Sequence, residues 1–378
     1  MFEQTKALCD HFLKMGIPCF DLIVYKDGEC ILRHMGGYAD LEQKIPLQGN
    51  EKYHIFSCSK LITCVAAMQL WEKGMFSLDD NLSDYMPAFK EMTVKTEDGF
   101  RKAKNPIKIK HLFRMTSGMT YDTHSPQMEE FLSIPGNNYD TIETVNAFAK
   151  NPLAFEPGEG WKYCFSHDVL AALVQILSGE KFEHYVKTHI FDPLGMVHSD
   201  FKHPAEDWNG FAKMYQYSKK TGKYSRAYHH KTYIGKDYVS GGGGCVSTVE
   251  DYIKFLEALR IGDVLLKKET LAMMATDCLT EHQRSMYAYS TTNIGYGLGM
   301  RAPRKDAVHK EFGWAGAAGA YASIDPELNV SFYYAQHVIA PPNRHLRPWI
   351  YNAVRADLLG ETIEIPYRST DLNPELTY

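Results

Sequence analysis

No stretch of this 378-residue sequence approaches the ~20 consecutive apolar residues that a bilayer-spanning helix needs. Basic charge is not in excess either: 41 Lys and Arg stand against 46 Asp and Glu. The net charge of -5 gives no field for nucleic acid or anionic lipid. Eight cysteines (Cys9, Cys19, Cys30, Cys58, Cys64, Cys164, Cys245 and Cys278) are scattered without a C-x-x-C pair, and read as reduced thiols of a cytoplasmic protein. The 16 histidines include no H-E-x-x-H and no zinc-like spacing, so neither a metal nor another cofactor is expected. A G-x-S-x-G elbow is missing, which disfavours an α/β-hydrolase triad. The glycine run Gly241 to Gly244 is not followed by G-K-[ST] and has no βαβ unit around it. Close backbone packing accounts for it better than a phosphate loop. The opening Met1-Phe2-Glu3-Gln4-Thr5-Lys6 has an early acid and lacks the apolar core of a secretory signal.

What is present is an ordinary globular composition, 44% hydrophobic and 23% charged, in a chain long enough for two lobes. One stretch dominates. From Leu61 to Trp71 nearly every residue is apolar or small, so a helix there is apolar all round and belongs in the interior. Gly74 sits where a C-cap is expected, and Ser57 to Ser59 where an N-cap is expected. Ser57 and Lys60, three apart, then share one helix face, so the amine can reach the hydroxyl. A lysine in a dry pocket can lose its proton and act as a base, and serine is a poor nucleophile until a base takes its proton. The helix N-terminus favours negative charge on oxygen.

Around this element the pattern changes along the chain. Phe2 to Met15 has helical spacing, and Phe20 to Tyr25 and Cys30 to His34 form a hairpin through Lys26-Asp27-Gly28. Helical patterns dominate from Leu78 to Tyr233, including Val145 to Phe155, Val169 to Leu177 and Phe182 to Ile190. Asp207 to Lys236 shows no period and reads as irregular. Ser247-Thr248-Val249-Glu250 reads as a capping box opening a helix to Leu259. Strands return over Phe312 to Gly316, Ala320 to Asp325 and Asn329 to His337, and a helix from Arg347 to Leu359 closes the fold. The expected fold class is therefore α/β of the α+β type. An antiparallel sheet is built from both chain ends, flanked by helices, with a mostly helical lobe inserted. The α/β lobe would take about 1–60 and 235–365, the helical lobe about 61–234, and 366–378 would be a tail.

Several motifs, in order, carry a family resemblance: Phe56-Ser57-Cys58-Ser59-Lys60, Thr116-Ser117-Gly118, Pro157-Gly158, Tyr163, Pro193-Leu194-Gly195-Met196, Gly241 to Gly244, Gly295-Tyr296-Gly297-Leu298-Gly299 and Gly313-Trp314-Ala315-Gly316. The chain resembles serine β-lactamase-like proteins over roughly Phe20 to His337. The branch is that of class C β-lactamases, low-molecular-weight penicillin-binding proteins and family VIII carboxylesterases. The resemblance implies that Ser57 is the acylated nucleophile, Lys60 its proton partner and Tyr163 the phenol that shuttles the proton. It implies an oxyanion hole from the N–H groups of Ser57 and Ala317, and a substrate strand at Trp314 to Gly316. Tyr121, Phe165 and Tyr296 are expected to line the cleft.

Two departures from the family pattern bear on substrate. The third motif of β-lactamases opens with Lys or His; here it is Trp314. The Asn of Y-x-N is Phe165. Losing the partner of a buried carboxylate costs on the order of 1.5–3 kcal/mol, whereas uncharged esters lose nothing. The expectation is a serine hydrolase of small uncharged carboxylic esters. The alternatives are acyl transfer to an alcohol or amine, β-lactam or D-amino-acid peptide hydrolysis, and a relative that binds without catalysing.

Overall fold

The computed structural model describes residues 1–134, 138–202, 210–228, 234, 237–291 and 293–368. Strands β1 (Cys19–Lys26) and β2 (Glu29–Asp40) form the expected hairpin, longer than its apolar runs. Its turn residues Asp27 and Gly28 both have positive φ, 54° and 88°, which suits the twist of a two-residue hairpin. β3 (Ile45–Pro46) extends this edge. The other end of the chain supplies β4 (Ile294–Tyr296), β5 (Arg301–Pro303), β6 (Phe312–Ala315), β7 (Tyr321–Asp325) and β8 (Val330–Ala335). Together they make one eight-stranded sheet in the order β4-β5-β6-β7-β8-β1-β2-β3. The two ends meet where β1 pairs antiparallel with β8, Asp21 opposite Ala335 through Lys26 opposite Val330. This is the mixed architecture with an antiparallel sheet expected from the sequence.

The helices that bear on the site are α1 (Glu3–Lys14), α2 (Ser59–Glu72), α3 (Ser166–Ser178), α4 (Val249–Ile261) and α5 (Trp349–Leu359). Alternation along the central strands feeds two cores. Phe20, Leu22 and Val24 of β1 and Phe332 and Tyr334 of β8 pack with Leu8 and Phe12 of α1 and Ile350 and Val354 of α5. Ile23 and Tyr333 face a larger core containing α2, α3 and α4. A sheet covered on both faces explains why its strands read as continuous apolar runs. In α2 every residue from Ser59 to Met68, and Leu70, is buried, Lys60 among them.

Several details differ from expectation. The helix containing Val145 spans Thr141–Phe148 and stops short of Phe155. Asn151 precedes Pro152, which disfavours helical backbone, and its side-chain amide donates to the Asp122 carbonyl at 2.9 Å, fixing a loop there. Helix α4 is capped by Thr248, whose hydroxyl accepts from Asp251 N at 3.1 Å; Ser247 instead lies in a short strand. The helical stretch contains a hairpin, Thr93–Thr96 with Gly99–Lys102. Within Asp207 to Lys236, strands Tyr215–Ser218 and Lys223–Arg226 pair with each other, while 203–209, 229–233 and 235–236 lie outside the described residues. The tail beyond 368 also lies outside them.

Candidate active site

Ser57 sits in a single 3₁₀ turn, Phe56–Cys58, that leads directly into α2. Phe56 has φ of 48°, a left-handed conformation that costs a bulky residue about 1–3 kcal/mol. The α-helix itself begins at Ser59, without a side-chain cap. The Ser59 hydroxyl accepts from Cys245 N at 3.1 Å, which ties α2 to the strand after the glycine run. Ser57 is half-buried; Lys60 is fully buried.

The Lys60 ammonium has three N–H donors and finds three acceptors. They are Gly242 O at 2.6 Å, Tyr121 Oη at 3.0 Å and Ser57 Oγ at 3.4 Å. Burial works against the charge, but the Tyr121 and Tyr163 phenols and the Asp168 carboxylate outweigh it and hold the lysine above its ordinary range. The sequence suggested a lysine made ready to lose its proton by a dry pocket and nearby cationic or polar groups; the groups found beside Lys60 hold the proton on instead. Lys60 itself is fully buried, yet it is furnished with acceptors that favour the ammonium. Tyr121 is 39% exposed as a residue, but the packing around its hydroxyl end pushes the phenol above its usual value, although the Lys60 charge pulls the other way. The resting arrangement is thus a charged lysine, a neutral phenol and a neutral serine. Loss of one proton from this coupled set leaves a base within reach of Ser57 Oγ.

Four of the aromatic residues named from the sequence gather here. Tyr163 presents its ring to Lys60 Nζ at 4.6 Å from the centroid, and its hydroxyl accepts from the Trp314 indole N–H at 3.2 Å. Tyr121, expected only as a cleft wall, is the phenol hydrogen-bonded to Lys60. Phe165 lies edge-on to Tyr121 at 4.5 Å and stacks on Phe148 at 4.1 Å, so it braces Tyr121. Tyr296 differs from expectation. It is fully buried and its ring meets Trp314 at 5.2 Å, so it supports the indole rather than lining an opening.

The end of β6 comes up against the Ser57 turn. A Cβ on Gly316 would lie 2.4 Å from the Ile55 carbonyl oxygen, an approach only glycine permits. Gly316 N is bonded to Ala320 O at 2.8 Å, whereas Ala317 is exposed. Neither the Ser57 nor the Ala317 N–H donates a hydrogen bond to another described residue, as donors kept for an oxyanion would be. Arg347, buried, reaches the Gly316 carbonyl with Nη1 at 3.5 Å.

Sequence reasoning missed the support beneath Lys60. Asp168, buried on the first turn of α3, accepts on Oδ1 from Tyr238 Oη at 2.6 Å, Ser240 Oγ at 2.6 Å and Gly242 N at 3.2 Å. Anchoring Gly242 at its N–H positions its carbonyl, in the next peptide unit, against Lys60 Nζ. A Cβ on Gly242 would sit 2.5 Å from Asp168 Oδ2, and one on Gly241 2.6 Å from Ala171 Cβ. The glycine run is therefore a close-packed shelf. The available signal was an acid at the start of a strongly apolar helix, where an unpaired carboxylate would be costly. Among the described residues no group of three His, Cys, Asp or Glu side chains is placed to hold a metal.

This fold recurs in solved structures. EstCE1, a hydrolase with promiscuous acyltransferase activity, superposes with a TM-score of 0.77 at 23% identity, covering 93% of this chain and 97% of that one. The arrangement is that of the serine β-lactamase and transpeptidase superfamily, which contains hydrolases and acyltransferases. The chain belongs to the beta-lactamase family, whose sequence profile matches residues 5–356. Protein Rv1367c of Mycobacterium tuberculosis is 26% identical over 361 residues, 88% of either chain. The ML-236A carboxylate methylbutanoyltransferase mlcH of Penicillium citrinum is 27% identical over 274 residues, 68% of this chain and 64% of the relative.

Proposed function

We propose that this protein is a serine carboxylesterase that cleaves small uncharged esters through an acyl-enzyme on Ser57. The Lys60, Tyr121 and Tyr163 set, once it has lost one proton to solvent, takes the Ser57 proton as Oγ attacks the ester carbonyl. The N–H groups of Ser57 and Ala317 hold the tetrahedral oxyanion. Tyr163 passes the proton to the departing alcohol, and water then repeats the sequence to free the acid. The observation that carries the choice of substrate is Trp314: an indole bonded to Tyr163 Oη stands where lactamases carry a cation for the substrate carboxylate. Phe165, at the place of the amide-binding Asn, is likewise apolar and packed among rings. We place the protein in the cytoplasm on its eight unpaired cysteines; none of the helices in the described residues is long and apolar enough to cross a membrane.

The test is turnover of p-nitrophenyl butyrate beside nitrocefin. Ester hydrolysis at least 100-fold faster than lactam hydrolysis, abolished in Ser57→Ala, supports the reading; efficient nitrocefin hydrolysis contradicts it. A second reading, transfer of the acyl group to an alcohol or amine, is favoured by one relative, mlcH, which is named a methylbutanoyltransferase. Product analysis with 1-butanol present separates the two, because free acid as the sole product excludes transfer.

A further inference from the structure

Away from Ser57, an open cavity of about 710 Å³ lies between the C-terminal end of α4, the helix Lys268–Met274 and the face of β5, β6 and β7. That volume is within the range of small-molecule sites, roughly 300–1,000 Å³. Its floor is apolar, made by Leu259, Leu271, Phe312 and Ile324. Its rim is cationic: Arg260, Lys268, Arg284, Arg304, Lys305 and Lys310 line it, against Asp277 as the one carboxylate among the described lining residues. In a chain of net charge -5 this is a local reversal of sign.

The cations are not equivalent. Arg260 is held by Glu257 at 2.7 Å, Arg284 by Asp277 at 2.7 Å and Lys268 by Asp263 at 3.5 Å. Arg304 has Glu281 only at 3.9 Å. Lys305 and Lys310 have no carboxylate partner among the described residues; Lys310 Nζ rests on the carbonyls of Lys305 and Ala307 at 3.4 and 3.1 Å. Backbone carbonyls orient an ammonium without neutralising it. Two uncompensated ammonium groups at the mouth of an apolar hollow match a ligand with an anionic head and an apolar body.

We propose that this cavity is a second binding site, sharing no lining residue with the Ser57 site, for an amphipathic organic anion. The ligand's apolar chain lies along Ile261 and Ala272, over the buried floor, and its head meets Lys305 and Lys310. A carboxylate and a phosphate head share this chemistry. The inference is independent of what Ser57 does.

Calorimetric titration of the full chain with decanoate, decyl phosphate and decanol, each below its micellar concentration, tests it. Decanoate or decyl phosphate should bind one per chain, at least tenfold tighter than decanol, and the tighter of the two identifies the head. Lys305→Glu and Lys310→Glu, both on solvent-reached side chains, should each weaken the anion several-fold and together at least tenfold. Their circular dichroism should match the parent, and Ser57→Ala should bind as the parent does. Decanol binding as tightly as the anions, anion affinity within twofold of the parent in the double variant, or no binding of either anion would overturn the proposal.

Discussion

Tyr121→Phe removes one of the three acceptors of the Lys60 ammonium and leaves the ring in place. The Tyr121–Lys60 bond is 3.0 Å long and its donor is charged and buried. Leaving one N–H of a buried ammonium without a partner costs on the order of 1.5–3 kcal/mol, the range for hydrogen bonds to charged groups. The cost falls on the charged form alone, so the lysine gives up its proton more readily. The sign follows directly. In the parent, Lys60 is held above its ordinary range, and activity should climb as pH rises and the coupled set loses a proton. In Tyr121→Phe that climb should begin about one to two pH units lower, since 1.36 kcal/mol corresponds to one unit. The assay is kcat/KM for p-nitrophenyl butyrate between pH 6 and 10, with urea unfolding at pH 7 for the stability loss. A pH profile that stays within 0.3 unit, roughly 0.4 kcal/mol, while the variant remains folded would refute the claim that the Tyr121 hydroxyl helps hold the charge.

Three other outcomes follow from the same geometry. Asp168→Ala leaves Tyr238 Oη, Ser240 Oγ and Gly242 N without their common acceptor, and should lower stability by about 3–5 kcal/mol in urea unfolding; a loss below 1 kcal/mol (roughly the worth of one ordinary hydrogen bond) would show the shelf holds without it. Gly316→Ala forces a Cβ toward the Ile55 carbonyl and displaces the Ala317 N–H, so kcat should fall by about 10–10³, up to the loss of one oxyanion donor, with unchanged kcat as the contrary result. His167 is fully buried and its pKa is lowered to about 3, first by burial and then by the Lys60 charge. The unfolded chain takes up that proton below about pH 6.5, so the native state loses stability as pH falls from there toward 3, about 2 kcal/mol by pH 5. Urea unfolding at pH 7 and pH 5 should show a shallower loss in His167→Gln than in the parent; parallel losses would count against it.

The fold was legible where one physical rule dominated. The almost wholly apolar run from Leu61 to Trp71 could only be a buried helix, and α2 is one. Asp27-Gly28 between apolar runs could hardly be other than a hairpin turn. Legibility ended where partners are remote in sequence. Tyr121 carries no local mark that sets it apart from the other tyrosines, because its role depends on a bond to Lys60, 61 residues earlier. Asp168 and Gly242 are 74 residues apart and meet only because the glycine run permits the approach. Tyr296 was expected to line the cleft, but nothing local in the sequence marks the burial of its ring against Trp314, which is a tertiary fact. The two short strands of Tyr215–Ser218 and Lys223–Arg226 had too little alternation to register.

The central claim is that Ser57 Oγ carries the acyl group between attack and release. Intact-protein and peptide mass spectrometry after acid quenching of the enzyme with p-nitrophenyl butyrate tests it most directly. The account predicts one butyryl adduct per chain, on the peptide containing Ser57 and absent from Ser57→Ala. Hydrolysis that persists in Ser57→Ala, or an adduct located on another residue, would contradict it.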